Sequence, residues 1–299
     1  MKQKSWLPIY LILGLVWGSS FVFIKLGLEF LTPVGVAFGR CALGAMILLL
    51  IVKIRGIKLP TDPKTWFILW VVSLLLNVFP GFLFAYAQQE VTTVLAGIIN
   101  SFTPLATLVF IFIFFRSEKI QNQQILGLAV GGVGVIVVLG IWNGVGTGSG
   151  DGVLALFAAV TCYGLSYPII RKYLIPLNLT AEALAAGQVT AGALTLLPFY
   201  LMDGVASAEY RIGPVLAVMA LGIFGTGFAY IWNFQIVERA GSSVASSVTY
   251  LTPVVAVFIG WIFLNENITW HEPVGGAIVV LGAAISQGRF SKKVAEKSD

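Results

Sequence analysis

One arginine, Arg40, stands inside an apolar run, Pro33 to Val52, seven residues past Pro33 and so about 10 Å along a helix. A guanidinium at that depth needs a carboxylate, a wet cavity or an anionic ligand. Glu29 and Glu90 lie on the same side as candidate counterions, which leaves two readings. Arg40 and Glu29 form a gate or an anchor for an anionic solute, or they make a static ion pair that holds the run in place. Uncharged polar and aromatic side chains recur at comparable depth in other runs: Trp17, Ser20, Asn77, Tyr86, Asn100, Tyr163, Tyr167, Gln188, Tyr230, Asn233 and Tyr250. Aromatic walls with a few amides and hydroxyls suit small amphipathic ligands, so these are the candidate solute-binding residues. Interhelical hydrogen bonding or interfacial anchoring is the alternative for each. Catalytic sets are missing. His271 is the single histidine, the two cysteines, Cys41 and Cys162, fall inside apolar runs, and the 13 acidic residues sit in loops, in the tail or near run ends. No Ser-His-Asp triad, metal site, cofactor site or buried-acid proton relay can be assembled, so an enzyme is not expected.

The elements that position these residues follow from composition. A chain that is 58% hydrophobic and 10% charged, with a mean hydropathy of +0.93, has too little polar surface to face water and reads as an all-α polytopic membrane protein. Apolar runs cover Trp6 to Ile24, Pro33 to Val52, Trp66 to Gln89, Val91 to Phe115 and Gln121 to Gly140. They resume as Val153 to Ile170, Ala183 to Met202, Ile212 to Val237, Gly241 to Leu264 and Pro273 to Gly288. At about 20 residues per crossing, these give ten spans, the last completed near His271 or Arg289. The first run is long enough to span and no small-residue cleavage site follows it, so it is expected to stay. With the N-terminus inside, inner segments hold 15 of the 18 basic residues and outer loops hold only Arg211, Lys25 and Arg40 being within spans. That bias places both termini in the cytoplasm. It also explains the net charge of +5 without a nucleic-acid partner.

The chain also repeats itself. Phe84-Ala85-Tyr86, Thr103-Pro104, Glu118 and Gly127 recur as Phe228-Ala229-Tyr230, Thr252-Pro253, Glu266 and Gly275, at offsets of 144, 149, 148 and 148. Trp17-Gly18-Ser19-Ser20-Phe21 and Lys25 fall opposite Tyr163-Gly164-Leu165-Ser166-Tyr167 and Arg171 at an offset of 146. The expected organisation is a first repeat over 1–143, a Gly-rich outer linker over 144–152, a second repeat over 153–289 and a cytoplasmic tail over 290–299. Five spans per repeat is an odd number, so the second copy enters the bilayer from the opposite side. An inverted duplication of that kind supplies two comparable conformations open to opposite faces, the arrangement of alternating-access carriers. Pro104 and Pro253 are expected as mid-helix kinks that free the carbonyls of Asn100 and Thr249, making a hinge or a solute site; Pro80 and Pro168 do the same for Leu76 and Gly164.

Trp17-Gly18-Ser19-Ser20-Phe21 with Lys25, then Pro33 and Arg40, Ala85-Tyr86-Ala87, Thr103-Pro104, Glu118 and the fifth-span glycines resemble the EamA domain of the drug/metabolite transporter superfamily, present twice over Trp6 to Arg289. The resemblance implies a ten-helix carrier that moves small metabolites, commonly outward, through a central cavity walled by spans 1 to 4 and 6 to 9. The second copy departs from the pattern, with Tyr163 in place of Trp17 and Gln188 close to the place of Arg40. The expectation is thus an exporter or facilitator of small metabolites, such as amino acids or amphipathic compounds, in the inner membrane of a bacterial host. A passive channel, or a lipid flippase or scramblase of the same fold, is the alternative. Gly127, Gly131 and Gly134 on the fifth span and Gly275 and Gly282 on the tenth form smooth stripes for a contact between those spans, with a homodimer as the other use. Glu118 and Glu266 read as structural caps, Lys25 as snorkelling to an interface.

Overall fold

The computed structural model describes residues 6–115, 122–140, 142, 150–206, 211–264 and 269–286. Apolar segments without water must satisfy their own backbone groups, and helix is the local way to do so. The helices are α1 (Leu7–Gly27), α2 (Pro33–Ile54), α3 (Pro63–Ser73), α4 (Phe79–Ala87), α5 (Thr93–Asn100), α6 (Thr103–Phe114) and α7 (Asn122–Leu139). They continue as α8 (Gly150–Ile169), α9 (Ala181–Asp203), α10 (Ile212–Gly222), α11 (Ala229–Ala240), α12 (Ser242–Ser246), α13 (Thr252–Leu264) and α14 (His271–Ser286). Among the described residues the only extended pairing is an isolated bridge between Leu31 and Val205.

Among the described residues, eight helical runs are long and apolar enough to cross a membrane: Leu7–Gly27, Pro33–Ile54, Pro63–Ala87, Thr93–Phe114, Gly150–Leu177, Ala181–Asp203, Ile212–Ala240 and Ser242–Ile259. α7 and α14 add shorter apolar stretches, Asn122–Val137 and Pro273–Gly282. The protein is an all-α polytopic membrane protein. Gly150 to Gly152, expected in the linker, are instead the first turn of α8. Glu118, Glu266, Arg289, the rest of the linker and the tail lie outside the described residues.

Side-chain caps fix where several helices start. Thr32, Asp62, Thr92 and Thr180 accept from the backbone N–H three residues on, at 3.1, 2.8, 3.1 and 3.2 Å. At Asp62 the backbone N–H of Thr65 holds the exposed carboxyl below its ordinary range.

Two of the long runs change their hydrogen bonding midway. α5 ends at Asn100 and α6 begins at Thr103, so Pro104 stands in the first turn of a new helix, where no backbone N–H is needed. Pro253 occupies the same place in α13, after a 3₁₀ segment, Ser247–Leu251. The expected mid-helix kinks are therefore interruptions of the α-helical ladder, a turn at Ser101–Phe102 and a 3₁₀ stretch at Ser247–Leu251, within helical runs that continue. The carbonyl of Asn100 accepts the hydroxyl of Thr103 at 2.7 Å, and that of Thr249 accepts the hydroxyl of Thr252 at 2.8 Å. The interruptions also touch each other. The Asn100 amide donates to the Thr252 hydroxyl at 3.3 Å, and that hydroxyl reaches the Gly97 carbonyl at 3.2 Å.

Two further runs widen midway into π-helical turns, Leu74–Val78 between α3 and α4 and Ile223–Phe228 between α10 and α11. Such turns loosen the backbone ladder and occur at functional positions in many helices. A third, Ile170–Leu174, follows Pro168 at the end of α8.

Glycine sets how the repeats lock together. A side chain on Gly18 of α1 would strike Val255, two residues past Pro253; one on Gly164 of α8 would strike Ala106, two residues past Pro104. The first helix of each repeat thus packs on the interrupted helix of the other at matching positions. The glycine stripes of α7 and α14 also meet: Gly134 lies over the backbone of Gly275 and Val279, and Gly282 over that of Gly127 and Gly131.

Candidate functional site

A cavity lies where the two repeats meet. The first repeat contributes Trp17, Ser20, Phe21, Ile24, Arg40, Leu76, Phe84 and Asn100; the second contributes Tyr163, Tyr167, Tyr230 and Thr249. The cavity volume is about 40 Å³. Small-molecule sites run from about 300 to 1,000 Å³, so the chamber is closed down well below the size that holds a solute. A single water needs roughly 10–15 Å³ of centre volume, so the chamber as it stands admits only a few waters.

The two π-turns build its polar walls. The carbonyl of Leu76, freed by Pro80 as the sequence anticipates, accepts the Tyr230 hydroxyl at 2.8 Å. The carbonyl of Gly225 accepts the Trp17 indole N–H at 3.2 Å and lies 3.5 Å from Nη2 of Arg40. Nε of Arg40 donates to the Thr226 hydroxyl at 3.0 Å. Each carbonyl comes from one repeat and takes its donors from the other.

Aromatic rings close the remaining sides. Trp17 meets Tyr230 edge-on, with centroids 6.2 Å apart, and Phe84 stacks on Tyr163 at 5.8 Å. Ser20 turns its hydroxyl back to the Val16 carbonyl. Asn100 keeps its Oδ1 buried and without a hydrogen-bond partner.

Arg40 is 6% exposed, and its hydrogen bonds are to neutral acceptors. No ion pair joins it to Glu29, which is exposed; the one salt bridge among the described residues is Arg55 to Glu182 at 2.8 Å. The expected Arg40–Glu29 pairing is thus replaced by contacts with the Ile223–Phe228 turn, because a loosened backbone offers acceptors at the right depth. Lys25 does not snorkel freely either. Its ammonium donates to the Gln88 carbonyl at 2.7 Å, just past the end of α4, where a cation complements the helix dipole. The Gln88 amide in turn donates to the Phe21 carbonyl at 3.0 Å.

The structure brings together Trp17, Ser20, Arg40, Asn100, Tyr163, Tyr167 and Tyr230. It sends four other candidates elsewhere and one out of the bundle. Tyr86 is 39% exposed and stacks on Phe82, outside the chamber. The reason is register: Tyr230 comes two residues after its π-turn and Tyr86 eight residues after its own, so the two Phe-Ala-Tyr motifs are not structural equivalents. Tyr250 is fully buried with its ring over Gly131 of α7, facing away from the chamber. Gln188, Asn233 and Asn77 are buried and do not line the chamber. Thr226 and Gly225 were not anticipated. Their signal was the cluster Gly222, Gly225 and Gly227: Gly222 and Gly227 let α2 approach closely, and Gly225 lies against Ser20 of α1.

Among the described residues no group of three or more His, Cys, Asp or Glu could hold a metal ion. Cys41 is buried and Cys162 half-buried, both as free thiols.

Comparison with known proteins agrees with this architecture. The model of the EamA-like transporter family matches twice, over residues 4–140 and 150–287. An uncharacterized transporter of Archaeoglobus fulgidus is 27% identical over 95% of this chain and 98% of its own. The uncharacterized transporter YoaV of Bacillus subtilis is 25% identical over 93% and 95%, and the uncharacterized inner membrane transporter YedA of Escherichia coli 26% over 97% and 94%. A solved crystal structure superposes with a TM-score of 0.74 at 18% identity, covering 97% of this chain and all of that one, a likeness of fold. Two family matches that together span nearly the whole sequence, on a bundle whose two halves meet around one chamber, show that the chain belongs to the EamA-like transporter family and is an integral membrane transporter.

Proposed function

We propose that this transporter is an alternating-access carrier of small metabolites bearing an anionic group, such as amino acids and amphipathic carboxylates, working as an exporter or facilitator. The observation that carries the reading is Arg40: a buried guanidinium at the repeat junction whose partners are neutral. A buried charge without a counter-charge is costly, and a solute carboxylate or similar anion supplies one. The aromatic rings of Trp17, Tyr163 and Tyr230 offer apolar area and faces for a cation, and Oδ1 of Asn100 offers an open acceptor.

A chamber with room for only a few waters favours a carrier over an open pore, since a solute can enter or leave only when helices move. The paired interruptions of α5–α6 and α12–α13 are the natural places for that movement. In this reading α7 and α14 are the fifth and tenth spans, the repeats are inverted, and the charge bias places both termini in the cytoplasm. No acidic residue lines the chamber, which favours facilitated export or exchange over proton antiport through a buried carboxyl.

The test is counterflow in proteoliposomes across a panel of amino acids and amphipathic carboxylates. Labelled solute should enter faster when unlabelled solute waits inside, and Arg40→Gln should abolish that acceleration. Flux indifferent to the solute inside would mark a channel; lipid movement without solute flux would mark a flippase.

A further inference from the structure

Gln188, Asn233 and Asn77 are 0, 0 and 1% exposed. Both amide atoms of Gln188, both of Asn233 and Oδ1 of Asn77 have no hydrogen-bond partner. Buried amide atoms without partners are expensive, at a cost that well-packed Leu side chains would not carry. Their positions in the repeat explain them.

α2 begins at Pro33 and α9 at Ala181, an offset of 148 that sets Arg40 opposite Gln188 and Gly44 opposite Gly192. The contacts obey this register. A side chain on Gly44 would meet Thr226 and the carbonyl of Gly222, in and before one π-turn; a side chain on Gly192 would meet Ser73 and Asn77, in and before the other. α3 and α10 begin at Pro63 and Ile212, an offset of 149 that pairs Asn77 with Thr226, Leu76 with Gly225 and Phe84 with Asn233. Leu76 and Gly225 each accept an aromatic donor across the junction, as Ser247 does from Tyr10. Arg40 and Phe84 line the chamber, and Thr226 accepts Nε of Arg40. Their counterparts are Gln188, Asn77 and Asn233, all buried; Nδ2 of Asn77 donates to the Ser73 hydroxyl at 3.2 Å, and the other five amide atoms have no partner.

Resting on the carrier reading, we infer that these three amides form a second, uncharged solute subsite, the pseudo-symmetric counterpart of the Arg40 chamber, collapsed in this conformation and opened in the opposite one. Three acceptors and two donors suit a neutral hydrogen-bonding group such as a hydroxyl or carboxamide. The solute would pass from a site with a fixed positive charge to one with none, so an anion is gripped on one side and released on the other.

Thiol labelling tests the opening without any solute. In a Cys41→Ala, Cys162→Ala background, Gln188→Cys and Asn233→Cys should react with N-ethylmaleimide in proteoliposomes at least about tenfold faster than Val189→Cys, a fully buried neighbour packed in the core. Rates for both equal to that of Val189→Cys would overturn the inference, and two separate positions guard against misfolding of either variant. Solute chemistry gives the second arm, with L-threonine and its isostere L-valine as probes. Gln188→Leu and Asn233→Leu should lower threonine flux relative to valine flux about fivefold or more, the loss expected when a hydroxyl partner is removed. Equal losses for both probes would refute the subsite. Loss of all counterflow in the unmutated protein, with labelling at Gln188→Cys and Asn233→Cys intact, counts against the carrier reading alone.

Discussion

Leu76 and Gly225 carry the same backbone defect in two copies of one unit, yet the molecule satisfies them differently. The Leu76 carbonyl takes one neutral donor, the Tyr230 hydroxyl. The Gly225 carbonyl takes the Trp17 indole and sits beside the Arg40 guanidinium. The backbone thus repeats while the side chains that complete it diverge, and the divergence puts one fixed charge into a chamber built from two equivalent halves. Duplication supplies the geometry; the departure from symmetry supplies the chemistry.

Breaking that comparison at the charge should have the largest effect. Truncating one member of a buried charged interaction costs roughly 2–5 kcal/mol, so Arg40→Gln is expected to reduce uptake of an anionic solute about 30- to 5,000-fold while the protein still inserts. Flux within a few-fold of wild type would remove Arg40 from the site. Tyr230→Phe strips the donor from Leu76 and leaves that carbonyl unpaired, a destabilisation of about 1–3 kcal/mol readable as a lower thermal midpoint in detergent. Trp17→Phe should cost less, about 1 kcal/mol, because the Gly225 carbonyl keeps Arg40 nearby. A Trp17→Phe penalty larger than that of Tyr230→Phe would show that the two carbonyls are not equivalent. Tyr86→Ala should change stability by no more than about 0.5 kcal/mol and leave counterflow intact, since that ring lies outside the chamber. The smallest effect concerns the Asp62 cap. Its carboxyl is held below the ordinary range, so its contribution is present above the unfolded-state pKa and fades as acid carries the pH down through the lowered folded value; Asp62→Asn should flatten that acid limb in a thermal-shift series.

Much of this was readable from residue types. A polar or aromatic side chain stranded in an apolar run has few places to go, which is why Trp17, Arg40, Asn100, Tyr163 and Tyr230 were found by depth alone. The duplicated Thr-Pro pairs also gave away two interruptions at matching places. What could not be read was the local widening of the third helix in each repeat. A π-turn is held partly by donors from other helices, here Tyr230, Trp17 and Arg40, so its position is a tertiary fact. That turn shifts the helix register, and it is why Tyr86 aligns with Tyr230 in sequence yet points elsewhere. A three-residue match is shorter than one turn of helix and cannot fix a facing direction. Arg40's neutral partners were hidden for the same reason, since Glu29 was the visible option and a freed carbonyl leaves no mark in composition.

The seam between α7 and α14 has a mechanical consequence. Backbone meets backbone there at Gly134 over Gly275 and Val279 and at Gly282 over Gly127 and Gly131, with Val279 the side chain beside Gly134. In the proposed carrier cycle, rocking of one repeat against the other is expected to pivot at this seam, with an amplitude that grows with distance from it. Spin labels on the exposed positions Val133 and Val280 should therefore report one fixed separation through a full working cycle, while pairs set across the far side of the bundle swing between two.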